Sequence, residues 1–191
     1  MKKYEVIYCD PPWTDKDRKN IGKGASNKYN TMTKKELFDL PIAKMADENC
    51  ILLMWVTYPT MKQAFELIEN WGFDYKTCAF VWVKRNKIAD SFFWGLGQYT
   101  RSNTELCLLA RKGSLERKSK SVHQVIYEPI DKHSKKPQIV RDKIIELFGD
   151  VKRLELFARN ETKGWDVFGN EVENSIDISE YYAPIKSGLK Y

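Results

Sequence analysis

A chain of 191 residues with 42% hydrophobic and 13% aromatic residues is long enough for one well-packed domain and too apolar to be disordered. Its formal net charge of +6 points to an acidic partner, while four dispersed cysteines, two histidines and no C-x-x-C pair give a metal site little support. The short apolar run after Lys2 and Lys3 leads straight into Asp10, so it is neither a signal peptide nor a membrane span, and a cytoplasmic protein is expected.

The first run, "VIYCDPPW" (6–13), reads as a strand that stops at Asp10, because two consecutive prolines remove two backbone donors and fix two φ angles. Two readings fit. One is a strand-ending turn. The other is a rigid platform that aims the Asp10 carboxylate, a Pro11 carbonyl with no competing N–H beside it, and the Trp13 ring at one flat polar molecule. Thr14 to Asn30 is polar, carries Gly22, Gly24 and several lysines, and reads as a mobile loop. Thr33 with Glu36 makes a capping-box pattern that opens a helical stripe of Leu37, Leu40, Ile42 and Met45, interrupted at Pro41.

"CILLMWV" (50–56) is the continuous apolar run of a strand buried on both faces of a parallel sheet. Pro59 then opens a helix that Gly72 stops. "YKTCAFVWVK" (75–84) and "TELCLLARKG" (104–113) predict two strands separated by a long insert, and "VHQVIYEP" a short one. Pro137 starts a helix ended by Gly149, and "KRLELFA" (152–158) predicts the last strand. Alternating strands and helices predict a three-layer α/β sandwich with a mostly parallel sheet, whose ligands bind at the carboxyl ends of the strands, where Asp10 and Arg159 both fall.

The charge is uneven. Lys84 to Ser121 carries nine basic residues against three acidic ones, and Thr14 to Lys35 seven against two. Such inserts suit a polyanion, although a charge run is usually only a solvated surface.

Three stretches now line up: "DPPW" after the first strand, "HSKKP" (133–137) at a helix start, and "LELFARN…GWDVFGNE" (154–171) after the last strand. With "KYNTMT" and "WVK" between them, their order resembles the MT-A family of N6-adenine methyltransferases from about Tyr4 to Glu171. The resemblance implies an S-adenosylmethionine-dependent enzyme on a Rossmann-like fold in permuted order, the catalytic strand before the cofactor strand. The methyltransferase domain is expected over 1–172, with a C-terminal tail over 173–191.

The opening residues suit that chemistry. Adenine N6 is a weak nucleophile because its lone pair is delocalised, whereas a sulfonium methyl is already a strong electrophile. If Asp10 accepts one amino hydrogen and the Pro11 carbonyl the other, the lone pair turns toward the methyl, and positioning supplies much of the rate. Pro12 stiffens the segment. Trp13 and Tyr29 would hold the ring face, since an adenine reacting at N6 must leave its stack. No covalent nucleophile is required, so Cys9 is expected to be a buried thiol.

For the cofactor, the resemblance implies that Lys136 pairs with its methionine carboxylate. Arg159, Asn160 and Glu161 then lie around the ribose, Asn170 and Glu171 meet the adenine, and Asp10, His133, Ser134 and Phe157 border the pocket. On the acceptor side, Trp82, Lys84, Asn103 and Glu105 match positions close to the target, although Trp82 reads equally well as core. Ala158 stands where some relatives have Gly, which a negative φ would tolerate. The insert "SFFWGLGQYTR" (91–101) presents Phe92, Phe93 and Trp94 between Lys87 and Arg101, as a strand-binding loop or a dimer patch. The expected acceptor is DNA ahead of RNA, because the chain is compact and carries no appended RNA module. The alternatives are an RNA adenosine methyltransferase and a non-catalytic nucleic-acid-binding subunit, and a homodimer or partner subunit is compatible with the small size.

Overall fold

The computed structural model describes residues 1–13, 31–97, 99–131 and 135–182. Its core is one seven-stranded sheet in the order β5-β3-β4-β2-β1-β6-β7. The strands are β1 (Tyr4–Cys9), β2 (Ala46–Val56), β3 (Asp74–Arg85), β4 (Thr104–Lys112), β5 (Val125–Pro129), β6 (Arg153–Leu156) and β7 (Asp166–Phe168). Neighbours run parallel except at β4, which is antiparallel to both β2 and β3. β4 reverses because it follows β3 through the insert without a crossover helix.

Alternation along β1 sorts its side chains between two layers. Ile7 and Cys9 face one layer, where Leu37, Ile42, Met45, Leu67, Ile68 and Trp71 cover the sheet from α1 (Lys34–Phe38), α2 (Ile42–Met45), α3 (Met61–Asn70) and the residue after α3. Val6 and Tyr8 face the other, against Val140, Ile144 and Phe148 of α4 (Ile139–Phe148). Central strand β2 is buried from Cys50 to Val56, as its unbroken apolar run requires. Each fully buried Leu or Ile side chain contributes about 1.5–3 kcal/mol. The α/β three-layer Rossmann-like sandwich expected from the sequence is the fold observed.

The capping box forms at Thr33 and Glu36. Pro41, which lacks an N–H and crowds the preceding turn, divides the apolar stripe into two short helices rather than one. Strand β7 has no counterpart in the sequence reading. Its three residues are too few to show alternation, and they pair with β6 at the sheet edge. Tyr181, within the stretch read as a tail, is buried in the first layer and donates its hydroxyl to the Lys2 carbonyl at 2.8 Å. The predicted loop from Thr14 to Asn30, with Tyr29, and the expected site residues His133 and Ser134 lie outside the described residues.

One sequence expectation divides. The basic segment from Lys84 to Ser121 is not a single surface, because β4 carries the chain from one end of the sheet to the other. Lys84 to Arg101 lie at the carboxyl ends of the parallel strands, whereas Arg111 pairs with Asp74 at the start of β3 and Lys118 bonds the end of α4.

Candidate active site

β1 lies between β2 and β6, and Cys9 is level with Leu156 of β6 and Met54 of β2. Asp10 therefore emerges beside Phe157, at the carboxyl ends of two adjacent parallel strands, where open α/β sheets place their ligands. A cleft open to solvent is lined there by Tyr8, Asp10, Lys136, Phe157, Arg159 and Asn160, among others. Phe157 has φ of 60°. This left-handed backbone costs a non-glycine residue about 1–2 kcal/mol, a strain found mostly at functional sites. Ala158, next in the chain, has no such φ, so the methyl in place of glycine is tolerated as expected.

The "DPPW" segment is fastened to Met32 at its second half. The Pro12 carbonyl accepts from the Met32 N–H at 2.9 Å, and Trp13 bridges to Met32. One expectation fails: the Pro11 carbonyl is not without competition, because the Trp13 N–H reaches back to it at 2.8 Å. The prolines cannot donate, but Trp13 has an ordinary amide, and a tight turn brings it round. Among the described residues no second donor reaches that oxygen. Trp13 packs against the first layer.

Asp10 belongs to a chain of four charges. Lys136 Nζ lies 2.7 Å from Asp10 Oδ2 and 3.1 Å from Glu105 Oε2, and Lys84 Nζ lies 2.6 Å from Glu105 Oε1. The side chains are 28% (Asp10), 9% (Lys136), 14% (Glu105) and 16% (Lys84) exposed, so Asp10 is the member most open to the cleft. Two aromatic rings lie beside the lysines: Lys136 Nζ sits 5.6 Å from the Trp55 ring and Lys84 Nζ 5.1 Å from that of Trp82.

Burial pushes the Asp10 carboxyl above its ordinary pKa, with Lys136 pulling the other way. Burial also works against the charge on Glu105, but Lys136 and Lys84 outweigh it and hold that carboxyl below the usual range. Lys136 is disfavoured as a cation by burial and favoured more strongly by its two carboxylates, so its pKa rises. Four charges of alternating sign thus offset one another in a half-dry site.

Of the expected residues, Asp10, Lys136, Phe157, Arg159 and Asn160 share the cleft. Glu171 reaches Arg159 Nε at 3.7 Å, while Glu161 and Asn170 are exposed beyond it. Trp82 is buried, edge-on to Trp55, and its indole N–H donates to the Glu128 carbonyl at 2.9 Å. Asn103 takes the Lys84 N–H on its carbonyl at 2.8 Å. Sequence reasoning missed Arg141 and Glu155, a buried pair with Arg141 Nε 2.7 Å from Glu155 Oε2 beneath the cleft, and Tyr8, whose hydroxyl accepts from Trp55 Nε1 at 2.6 Å. The signal for the pair was legible: an acid inside the apolar strand "RLEL" needs a cation.

The close approach of the segment after β7 to the one after β6 depends on one glycine. A Cβ on Gly169 would lie 2.0 Å from the Ala158 carbonyl oxygen and 2.7 Å from its nitrogen. Gly169→Ala is expected to cost roughly 1–3 kcal/mol or more by forcing β7 away from Ala158. Urea denaturation of the two proteins checks this, and an unchanged midpoint would mean that the loops do not meet there.

The family model for MT-A70 matches residues 4–171. Similar proteins include the type II methyltransferase M.MunI of Mycoplasma sp, 40% identical, covering 93% of this chain and 82% of that protein. Human N(6)-adenine-specific methyltransferase METTL4 is 30% identical over 98% of this chain, which spans 41% of its length. The human N(6)-adenosine-methyltransferase catalytic subunit METTL3 is 27% identical over 91% of this chain, which spans 29% of its length. No helix among the described residues is long and apolar enough to cross a membrane. With a family model over nearly the whole chain and Asp10 standing where its fold places a ligand, the chain belongs to the MT-A70 family of methyltransferases.

Proposed function

We propose that this protein transfers a methyl group from S-adenosylmethionine to N6 of adenine in DNA. The observation that carries the reading is the Asp10 carboxylate, paired with Lys136 at 2.7 Å and partly open to the cleft at the end of β1.

The cleft suits the cofactor by its chemistry. A zwitterionic amino acid joined to a nucleoside needs cations, carboxylates and an apolar face together, and the cleft has Lys135, Lys136 and Arg159, Asp10 and Glu155, and the Phe157 ring. Lys135 and Arg159 would meet the carboxylate of S-adenosylmethionine alongside Lys136, and Asn160, Glu161, Asn170 and Glu171 would hold its nucleoside. Bound there, S-adenosylmethionine supplies an electrophilic methyl on sulfur.

The protein's own task is to orient the acceptor. Lys136 occupies Asp10 Oδ2, and among the described residues no hydrogen bond reaches Oδ1. Oδ1 and the second lone pair of the Pro11 carbonyl accept the two amino hydrogens, so the N6 lone pair points out of the ring plane. Trp13 flanks the ring. The proton released from N6 as the methyl arrives has Asp10 as its nearest base, and the raised pKa of that carboxyl favours the transfer.

DNA is favoured because the 40% identity is to a type II methyltransferase, against 27% to the adenosine methyltransferase subunit. Labelled-methyl transfer to DNA and RNA of one sequence, in competition, tests it. Label is expected in the DNA, and label confined to RNA adenosine would establish the alternative.

The insert between β3 and β4 is the surface for the strand. It continues the two strands as an irregular ribbon through the bridges Arg85 to Phe92 and Gly95 to Ser102, with Phe92, Trp94 and Tyr99 exposed. Lys84, bound into the charge chain, is not its cation; Arg85, Lys87 and Arg101 are. Replacing these three by Gln should flatten the log–log salt dependence of DNA binding by about 0.7–0.9 per lost phosphate contact. Trp94→Ala should weaken binding with little change of slope, because stacking releases few counterions. Fluorescence anisotropy across a salt series reads both, and equal slopes in the triple variant and wild type would move the binding face elsewhere. A mass that falls in the Trp94 variant would instead mark the aromatics as a dimer patch.

A further inference from the structure

Glu105 stands near the start of β4 and shares its carboxylate between two lysines, Oε1 with Lys84 and Oε2 with Lys136. Its level partner on β3 is Trp82, so it faces the same layer as Trp55 and α4. An ammonium bound to Asp10 alone would be free to swing about that one contact. Bound also to Glu105, Lys136 is fixed on Oδ2, and among the described residues no hydrogen bond reaches Oδ1.

We infer that Glu105 is a positioning residue: by holding Lys136 against Asp10 Oδ2, and being held in turn by Lys84, it sets the orientation of the carboxylate that meets the adenine amino group. The role assigned to Asp10 rests on the function proposed above; the contact between Glu105 and Lys136 does not. Lys84 and Lys136 are thereby two ends of one clamp on Glu105.

The clamp is readable in the titration of Asp10. The charged and titratable groups facing Asp10 are Lys135, Lys136 and Arg141 from α4 and the residues before it, Glu155 on β6 and Arg159 after it, Glu105 and Cys107 on β4, and Tyr8 and Cys9 on β1. Among these Glu105 is the carboxylate that raises Asp10. Protein labelled with ¹³C at its aspartate carboxyls reports this without any substrate, the Asp10 signal being the one that Asp10→Asn removes. Glu105→Gln should lower the Asp10 midpoint by about one pH unit, the size of effect a close like charge has. The double variant Lys84→Met with Glu105→Gln, which leaves Asp10 and Lys136 as a neutral pair, should also titrate below wild type, and reads the same contact if the single variant does not fold. An Asp10 midpoint equal to wild type in the folded variants would overturn the inference.

Turnover supplies the second readout. Glu105→Gln should lower kcat by about tenfold or more, as small misplacements of a reacting group do, with KM for DNA changed less than about threefold. A raised KM at unchanged kcat would make Glu105 a contact to the base and overturn the positioning role. If wild type methylates no nucleic acid, the proposed function falls, while the carboxyl titration still decides the contact.

Discussion

Asp10→Asn should lower kcat for methyl transfer by about 10²-fold or more, the cost of removing one charged acceptor aimed at developing charge. The amide has the shape of the carboxylate and keeps one acceptor oxygen, so the cleft stays open and the fold is retained. What it lacks is the negative charge that Lys136 holds in place and the basicity to take the N6 proton. Cofactor binding should fall far less than turnover, because Lys135, Arg159 and Asn160 on the cleft wall are untouched. Single-turnover assays beside cofactor calorimetry separate the two. Near-normal turnover in the folded variant would remove Asp10 from the chemistry.

Lys136→Met should act on stability as well as activity. The side chain is 9% exposed and binds two carboxylates, so its loss leaves Asp10 and Glu105 facing each other without a cation between them. Removing one partner of a buried ion pair costs about 3–5 kcal/mol, and the openness of Asp10 places the expected loss toward the lower end. The sign of the pH dependence follows. In wild type the Glu105 carboxyl is held below its unfolded value, so its contribution is present above the unfolded pKa and lost as pH falls through the folded one. Without Lys136, Asp10 loses the cation that opposes burial and its carboxyl rises further above its unfolded value, while Lys84 still holds Glu105. The folded variant then binds more protons than the unfolded chain, and its stability falls as pH rises. Urea denaturation should therefore show a deficit that is larger at pH 8 than at pH 5. An equal deficit at both values would mean that Lys136 contributes by packing alone.

Much of this fold was legible because its signals are local. The unbroken apolar run at Cys50 to Val56 could only be a doubly buried strand, and the prolines at 41, 59 and 137 mark helix boundaries close to those observed. The end of β1 was equally clear, since two prolines stop a strand wherever they occur. What could not be read was the partner of each charge. Lys136 and Asp10 are 126 residues apart, and only the parallel pairing of β1 between β2 and β6, with β4 beyond β2, brings Lys136 within reach of both Asp10 and Glu105. Charge counted along the chain misled for the same reason. Lys84 looked like part of a basic insert and is neutralised inside the sheet's upper edge, while Arg111 and Lys118 lie at the opposite end from Asp10. Strand β7 escaped because three residues carry no period.

One product decides the chemistry at Asp10. The purified protein, incubated with S-adenosylmethionine labelled in its methyl group and with adenine-containing DNA, should yield N6-methyldeoxyadenosine as the labelled nucleoside after complete digestion, and Asp10→Asn under the same conditions should yield about 10²-fold less or none. Label on cytosine, or label on adenine at full level in the Asp10 variant, would contradict it.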